Sequence, residues 1–334
     1  MITAQTPAPT PPAPKITVIG AGAFGTALAV VLAREGREVT LYARDSAQIA
    51  AMRASGQNAA RLPGIDLPQS LRLSDAPDSF TTAPILLLTL PMQRLGGFLA
   101  AHGAQIDGHQ LVACCKGIDL ASLRGPTALI AEACPSAVPA ILTGPSFARD
   151  IARGLPTALT LACPTDAQGR ALQAALSTAT LRLYRSTDMI GAELGGALKN
   201  VIAIAAGVAI GAGLGDSARA ALMTRGYVEM QRLALHLGAS PDTLGGLCGL
   251  GDLVLTCTSA QSRNFSYGQA LGQGAAFDPA ITVEGAATAR AVTQLAEARQ
   301  IDMPITAMVA ALIEGRIDLA AAVATLLSRP LKQE

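Results

Sequence analysis

Lys15-Ile16-Thr17-Val18-Ile19-Gly20-Ala21-Gly22-Ala23-Phe24-Gly25 is the stretch on which the fold turns. A short run rich in β-branched residues stops at a glycine. Gly20, Gly22 and Gly25 keep the spacing G-x-G-x-x-G, and an Ala/Leu/Val stretch continues to about Glu35. That order predicts strand, tight turn and helix. The glycine pattern alone is a weak signal, because glycine-rich turns are common. Between a strand and a helix, with a second strand at the right distance, it marks a dinucleotide-binding unit. Gly20 permits the turn and Gly22 lets backbone approach a pyrophosphate. Gly25 lets the helix lie close on the strand, and the helix N-terminus attracts the anion. The bland alternative is a tight βα turn that holds no ligand.

Outward from this turn, strand and helix alternate. Residues 38–43 (EVTLYA) form a second strand, and a helix begins after Asp45. Residues 85–90 (ILLLTL) and 110–115 (QLVACC) are short apolar runs that suit parallel strands buried on both faces. Residues 140–143, 157–162 and 181–184 are further strand candidates. Such alternation predicts an α/β Rossmann-type domain with a mostly parallel sheet over residues 15–186. After Arg185 the pattern becomes helical. Thr187 or Asp188 can cap a helix that runs to about Gly211, and helical periodicity continues to the end. Residues 187–334 are therefore expected to form an all-α substrate or catalytic domain.

Composition narrows the function. The chain has 334 residues, half of them apolar and 15% charged, which supplies core for about two domains and excludes a disordered protein. Lys and Arg total 25 against 24 Asp and Glu, Trp is absent and aromatics make up 3%. A near-neutral chain poor in stacking residues is not expected to bind nucleic acid. The six cysteines form no C-x-x-C pair and read as reduced core thiols in a cytosolic protein. His102 and His109, placed in a loop-like stretch, and His236 lack ligand spacing, so no metal site is expected. Residues 1–14 carry five prolines and read as an extended tail without a secretory signal. Residues 201–215 are apolar but short and rich in Gly and Ala, so a buried helix is expected rather than stable membrane insertion.

Other residues point to chemistry. At the end of the second strand an NAD site usually carries Asp or Glu for the ribose 2′-OH. Here Ala43-Arg44-Asp45 offers a cation, which favours the 2′-phosphate of NADP, although Asp45 leaves NAD open. Lys199 has Gly195 and Gly196 at i−4 and i−3, and glycine within a helix costs about 1 kcal/mol relative to alanine. Either another backbone or a ligand packs there; alternatively the lysine snorkels to solvent. Asp252 follows Gly249-Leu250-Gly251 and is expected to cap a helix, and it can also orient Lys199 or bond a substrate hydroxyl. Residues 256–264 gather hydroxyl and amide donors around Arg263, as phosphate recognition requires, or as any exposed polar loop does.

The ordered set of motifs resembles NAD(P)-dependent glycerol-3-phosphate dehydrogenases of bacterial type over about residues 15–325. The motifs are GAGAFGTALA (20–29), LPGIDLP (62–68), CCKG (114–117), GPSFARDIARGLPTA (144–158), ELGGALKNVIAIAAG (193–207), GLGDLVLTCTS (249–259), SRNFSYG (262–268) and TVEG (282–285). The resemblance implies reversible, NAD(P)H-dependent reduction of dihydroxyacetone phosphate to sn-glycerol 3-phosphate, with NADP preferred, in the supply of a phospholipid backbone. It implies Lys199 as catalytic acid/base, with Asp252 and Lys116 holding substrate beside it. Gly144 and Ser146 would line the same pocket. Ser262, Arg263 and Asn264 would receive the substrate phosphate. Gly20, Gly22, Ala23, Phe24, Gly25, Arg44, Lys116, Ala148, Arg263, Thr282 and Glu284 would meet the cofactor. Phe24 stands where the family often has Trp, and the Pro-rich tail has no counterpart. A cytoplasmic homodimer is implied. The alternatives are another hydroxy-acid dehydrogenase with a Rossmann and a helical domain, and a non-catalytic NAD(P)H-binding protein.

Overall fold

The computed structural model describes residues 14–327, so the expected tail over 1–14 lies, Pro14 apart, outside the described residues. Eight strands form one sheet in the order β3-β2-β1-β4-β5-β6-β7-β8. They are β1 (Ile16–Ile19), β2 (Val39–Tyr42), β3 (Arg72–Ser74), β4 (Ile85–Leu88), β5 (Gln110–Ala113), β6 (Val138–Thr143), β7 (Thr157–Ala162) and β8 (Leu181–Ser186). Neighbours from β3 through β6 are parallel; β7 runs antiparallel to β6 and parallel to β8. The predicted apolar runs became strands because both faces of the sheet are covered. Ile16, Val18, Ile85 and Leu87 enter one core, and Ile19, Leu86 and Leu88 the other. β3 was not expected: its three residues, Arg-Leu-Ser, sit at the sheet edge with no face fully buried.

Helices α1 (Ala23–Arg34), α2 (Ser46–Ser55), α3 (Met92–Ile106), α4 (Pro126–Ala133), α5 (Ala148–Arg153) and α6 (Asp166–Leu176) are interspersed with the strands. His102 lies within α3 and not in a loop: its stretch carries the apolar spacing Leu95, Leu99, Ile106 of a helix packed on one face. All six cysteines are free and buried.

The helical region follows: α7 (Met189–Gly211), α8 (Gly215–His236), α9 (Pro241–Gly245), α10 (Asp252–Thr258), α11 (Arg263–Gly272), α12 (Glu284–Arg299), α13 (Pro304–Ile313) and α14 (Leu319–Leu327). Asp188 caps α7, accepting the Gly191 N–H at 2.8 Å. Among the described residues α7 is the single helix long and apolar enough to cross a membrane, but 89% of its most apolar window is buried inside the protein. Its contact with α11 is backbone against backbone. A Cβ on Gly207 would lie 2.1 Å from the Phe265 carbonyl oxygen, and one on Gly268 2.1 Å from that of Ile204. Glycine on both helices thus brings the start of α11, and with it Arg263, close to the middle of α7.

Candidate active site

The carboxyl ends of the parallel strands share one edge of the sheet, where open α/β sheets bind ligands. There β1 runs into Gly20, β2 into Arg44, β4 into Thr89, β5 into Lys116 and β6 into Gly144. Strands β1 and β4 are neighbours in the sheet although not in sequence, so the Gly20 turn lies at the topological switch point. Gly20 has φ 116° and packs on Thr89, whose hydroxyl lies 2.8 Å from the Gly20 carbonyl oxygen. A Cβ on Gly25 would collide with that carbonyl, at 2.1 Å, whereas one on Gly22 would meet nothing within 4 Å. Two glycines are therefore needed by the protein and the third faces open space. Helix α1 starts there without a side-chain cap or an acidic residue in its first turn. Free N–H groups beside an open glycine fit a dinucleotide pyrophosphate.

Around this turn, Gln48 Nε2 and Asn58 Nδ2 donate to the Ala21 carbonyl at 2.8 and 3.0 Å and fix the loop from behind. Asp45 caps α2, accepting the N–H groups of Ala47 and Gln48 at 2.9 and 3.3 Å. Arg44 is exposed and makes no hydrogen bond or ion pair with the described residues. Ala23 and Phe24 open α1, and Phe24 and Ala148 pack against the same core.

A charged cluster lies where β5 and β6 meet the helical region. Lys199 does not snorkel: it is 6% exposed, and its Nζ donates to Asp252 Oδ1 at 3.0 Å and to Thr256 Oγ1 at 2.6 Å. Lys116 Nζ donates to Asp252 Oδ2 at 2.5 Å and to the Gly144 carbonyl at 3.2 Å. One buried carboxylate is thus shared by two ammonium groups. Burial would raise Asp252, but Lys116 and Lys199 outweigh it and hold the carboxyl below its usual range. Burial pushes Lys199 down to about 8, against the pull of Asp252 and with help from Lys116. Such a lysine exchanges its proton near neutrality, as a general acid or base must.

Asp252 does not cap α10 as expected. A π-helical turn, Leu247–Gly251, leads into α10 with Gly251 already helical, so the carboxylate faces no free helix end and turns to the lysines. The glycines beside Lys199 serve packing: a Cβ on Gly195 would lie 2.6 Å from the Cys248 carbonyl oxygen, and one on Gly196 2.5 Å from Thr143 Oγ1. Removing both side chains lets α7 sink onto the π-helical turn and the end of β6, which carries Lys199 to Asp252.

The phosphate candidates divide. Ser262 caps α11, accepting the Phe265 N–H at 3.2 Å. Asn264 is buried; its Nδ2 donates to Asn200 Oδ1 and its Oδ1 accepts the Gly285 N–H, both at 2.9 Å. Arg263 is exposed and makes no hydrogen bond or ion pair with the described residues, but its charge faces Glu284. Burial raises the Glu284 carboxyl, against Arg263, Lys116 and Lys199. Ser146 Oγ lies 3.3 Å from the Gly144 carbonyl. Thr282 is exposed and makes no hydrogen bond with the described residues. Sequence reading grouped Thr256 with the donors around Arg263; the structure places it at Lys199 instead, its hydroxyl also 3.2 Å from Asp252 Oδ1. Its position four residues after Asp252, on one helix face, was the available signal. Asn200 and Thr89 were missed.

Two family models match the chain: "NAD-dependent glycerol-3-phosphate dehydrogenase N-terminus" over residues 15–169 and "NAD-dependent glycerol-3-phosphate dehydrogenase C-terminus" over residues 188–324. A glycerol-3-phosphate dehydrogenase [NAD(P)+] of Cereibacter sphaeroides is 66% identical over 96% of this chain and 100% of its own length. That of Paracoccus denitrificans is 65% identical over 96% of this chain and 99% of its own. Among solved structures, glycerol-3-phosphate dehydrogenase from Coxiella burnetii superposes with a TM-score of 0.90 at 37% identity, covering 95% of this chain and 99% of the other.

Proposed function

The chain belongs to the NAD-dependent glycerol-3-phosphate dehydrogenase family, and from that premise we propose that Lys199 is the proton-transferring group of its reaction. The enzyme is an NAD(P)-dependent oxidoreductase that interconverts dihydroxyacetone phosphate and glycerol 3-phosphate. The observation that carries the assignment is the buried Lys199 ammonium, held by Asp252 and Thr256 with its proton affinity lowered by burial.

The turn shaped by Gly20 and Gly25, with the open Gly22 and the first turn of α1, would hold the dinucleotide, with Ala23, Phe24, Ala148, Glu284 and Thr282 as the further residues that would contact it. When bound, the nicotinamide supplies or accepts the hydride. Lys199 stabilises negative charge on the substrate C2 oxygen and gives that oxygen its proton during reduction; the free amine takes the proton back during oxidation. Lys116 and Asp252 hold the substrate oxygens and Lys199 in register. Gly144 and Ser146 wall the pocket. Arg263, at the start of α11 with Ser262 and Asn264, pairs the substrate phosphate. Arg44 would meet the 2′-phosphate of NADP: it is the cation that follows β2, and Asp45 beside it is engaged as a helix cap.

The proposal divides the chain at 186/187 into a dinucleotide-binding and a substrate domain; the end of the sheet at Ser186 and the start of the helices at Met189 support it. The proposal extends to a cytoplasmic homodimer that supplies a lipid backbone. The test is NADPH oxidation with dihydroxyacetone phosphate, with unphosphorylated dihydroxyacetone and with 2-oxo acids. Turnover on the phosphorylated ketone alone is expected. Turnover on oxo acids would favour a hydroxy-acid dehydrogenase, and binding without turnover would favour a sensor.

A further inference from the structure

Helix α7 carries a second ionisable group that the reaction does not use. Glu193 precedes Lys199 by about 9 Å along the axis, at 1.5 Å per residue. Its Oε1 accepts the Thr127 backbone N–H at 2.6 Å, in the first turn of α4. Gly125, which leads into α4, comes so near that a Cβ added there would lie 2.5 Å from Glu193 Oε2. No side chain of its own segment caps α4. The carboxylate from α7 takes that place, where free N–H groups favour an acceptor. Its charge also reaches Cys115, the residue before Lys116.

The chain from Lys116 to α4 is internally braced. The Asp119 N–H donates to the Arg124 carbonyl at 3.0 Å and the Leu123 N–H to that of Asp119 at 2.9 Å. Asp119 Oδ2 accepts from both the N–H and the hydroxyl of Ser122 at 2.8 Å, and Gln93 Nε2 donates to the Ile118 carbonyl at 2.8 Å. A segment tied in this way moves with its ends, and its ends are Lys116 and the start of α4.

We infer that Glu193 is a positioning residue: by holding the N-terminus of α4 against α7, it sets Lys116 and Lys199 at their spacing on either side of Asp252. This rests on the roles given above to the two lysines. Burial pushes the Glu193 carboxyl up to about 7, so near neutrality a neutral amide is a close mimic of it.

Four variants test this: Glu193→Ala, Glu193→Gln, Gly125→Ala and the double variant Gly125→Ala/Glu193→Ala. Glu193→Ala should lower kcat for dihydroxyacetone phosphate reduction on the order of tenfold, inside the roughly 100-fold that a 1 Å misplacement can cost. The KM for NADPH should stay within about twofold, because the cofactor turn is untouched. Glu193→Gln should recover most of the rate. Gly125→Ala should fold, since φ is −77° and only the tip of a flexible side chain stands in the way. It should displace the carboxylate, lower kcat comparably and add nothing to Glu193→Ala. The inference is overturned if folded Glu193→Ala or Gly125→Ala keeps the wild-type kcat, if their losses multiply, or if the loss falls on NADPH KM alone. If Glu193→Ala fails to fold, Gly125→Ala decides. Wild-type enzyme inert toward dihydroxyacetone phosphate would instead overturn the assigned reaction.

Discussion

The cofactor turn and the lysine–aspartate cluster lie at one edge of the same sheet and are built in opposite ways. The turn is backbone: Gly20 on Thr89, Gly25 on Gly20, and the uncapped start of α1, all but Thr89 within six consecutive residues. It contains no titratable group, and its specificity is space. The cluster is side chain: Lys116 from the end of β5, Lys199 from the middle of α7, Asp252 and Thr256 from α10. Its specificity is charge in a dry site. A local device can be damaged in pieces by adding atoms. A convergent one fails when a single group is lost, since the remaining charges stay buried without their partner.

The largest expected effect is at the cluster. Lys199→Ala should lose on the order of 10²- to 10⁴-fold in kcat, the range for a positioned general acid, while NADPH affinity stays close to wild type. Equal losses in both would erase the distinction between the two regions. At the cofactor side, Arg44→Ala should erode the preference for NADPH over NADH by up to about 1.5–3 kcal/mol, the scale of a charged hydrogen bond. The loss should fall on KM, because the contact is remote from the reacting carbon. A wild-type preference for NADH, or an unchanged ratio in the variant, would reduce Arg44 to a surface residue.

The glycines sharpen the contrast within the turn. Gly25→Ala forces a Cβ to 2.1 Å from the Gly20 carbonyl oxygen, so thermal stability should fall by about 1–3 kcal/mol, as for an overpacked core. Gly22→Ala meets no protein atom within 4 Å, so melting should be unchanged and only KM for NADPH should rise. Loss of stability in Gly22→Ala would mean that the open face is not the dinucleotide's.

The same contrast explains what was legible in the sequence. ILLL and QLVA read as buried parallel strands because they are short apolar runs, and ITVI with its turn could be read because the parts are adjacent. Strand β3 was not legible because Arg72–Ser74 is short and lies at the edge, and the reversal of β7 because Thr157–Ala162 has the composition of its parallel neighbours. Lys199 could be singled out by its glycines, but their purpose lies in Cys248 and Thr143, which are distant in sequence. Asp252 read as a cap because the preceding glycines looked like a loop; the π-helical turn there leaves no helix end to cap. Thr256 and Glu193 sit in otherwise apolar helix patterns; Thr256 had only its place one turn after Asp252 to mark it, and Glu193 is distinguished by its partner on α4.

The central claim is that Lys199 gives and takes the proton, and initial rates in both directions across pH test it most directly. Reduction of dihydroxyacetone phosphate needs the ammonium form, so kcat/KM should fall as pH rises through about 8. Oxidation of glycerol 3-phosphate needs the free amine, so kcat/KM should rise through the same value. Limbs of opposite sign sharing one midpoint are the predicted result. Limbs of the same sign, or none near that pH, would contradict the assignment of Lys199.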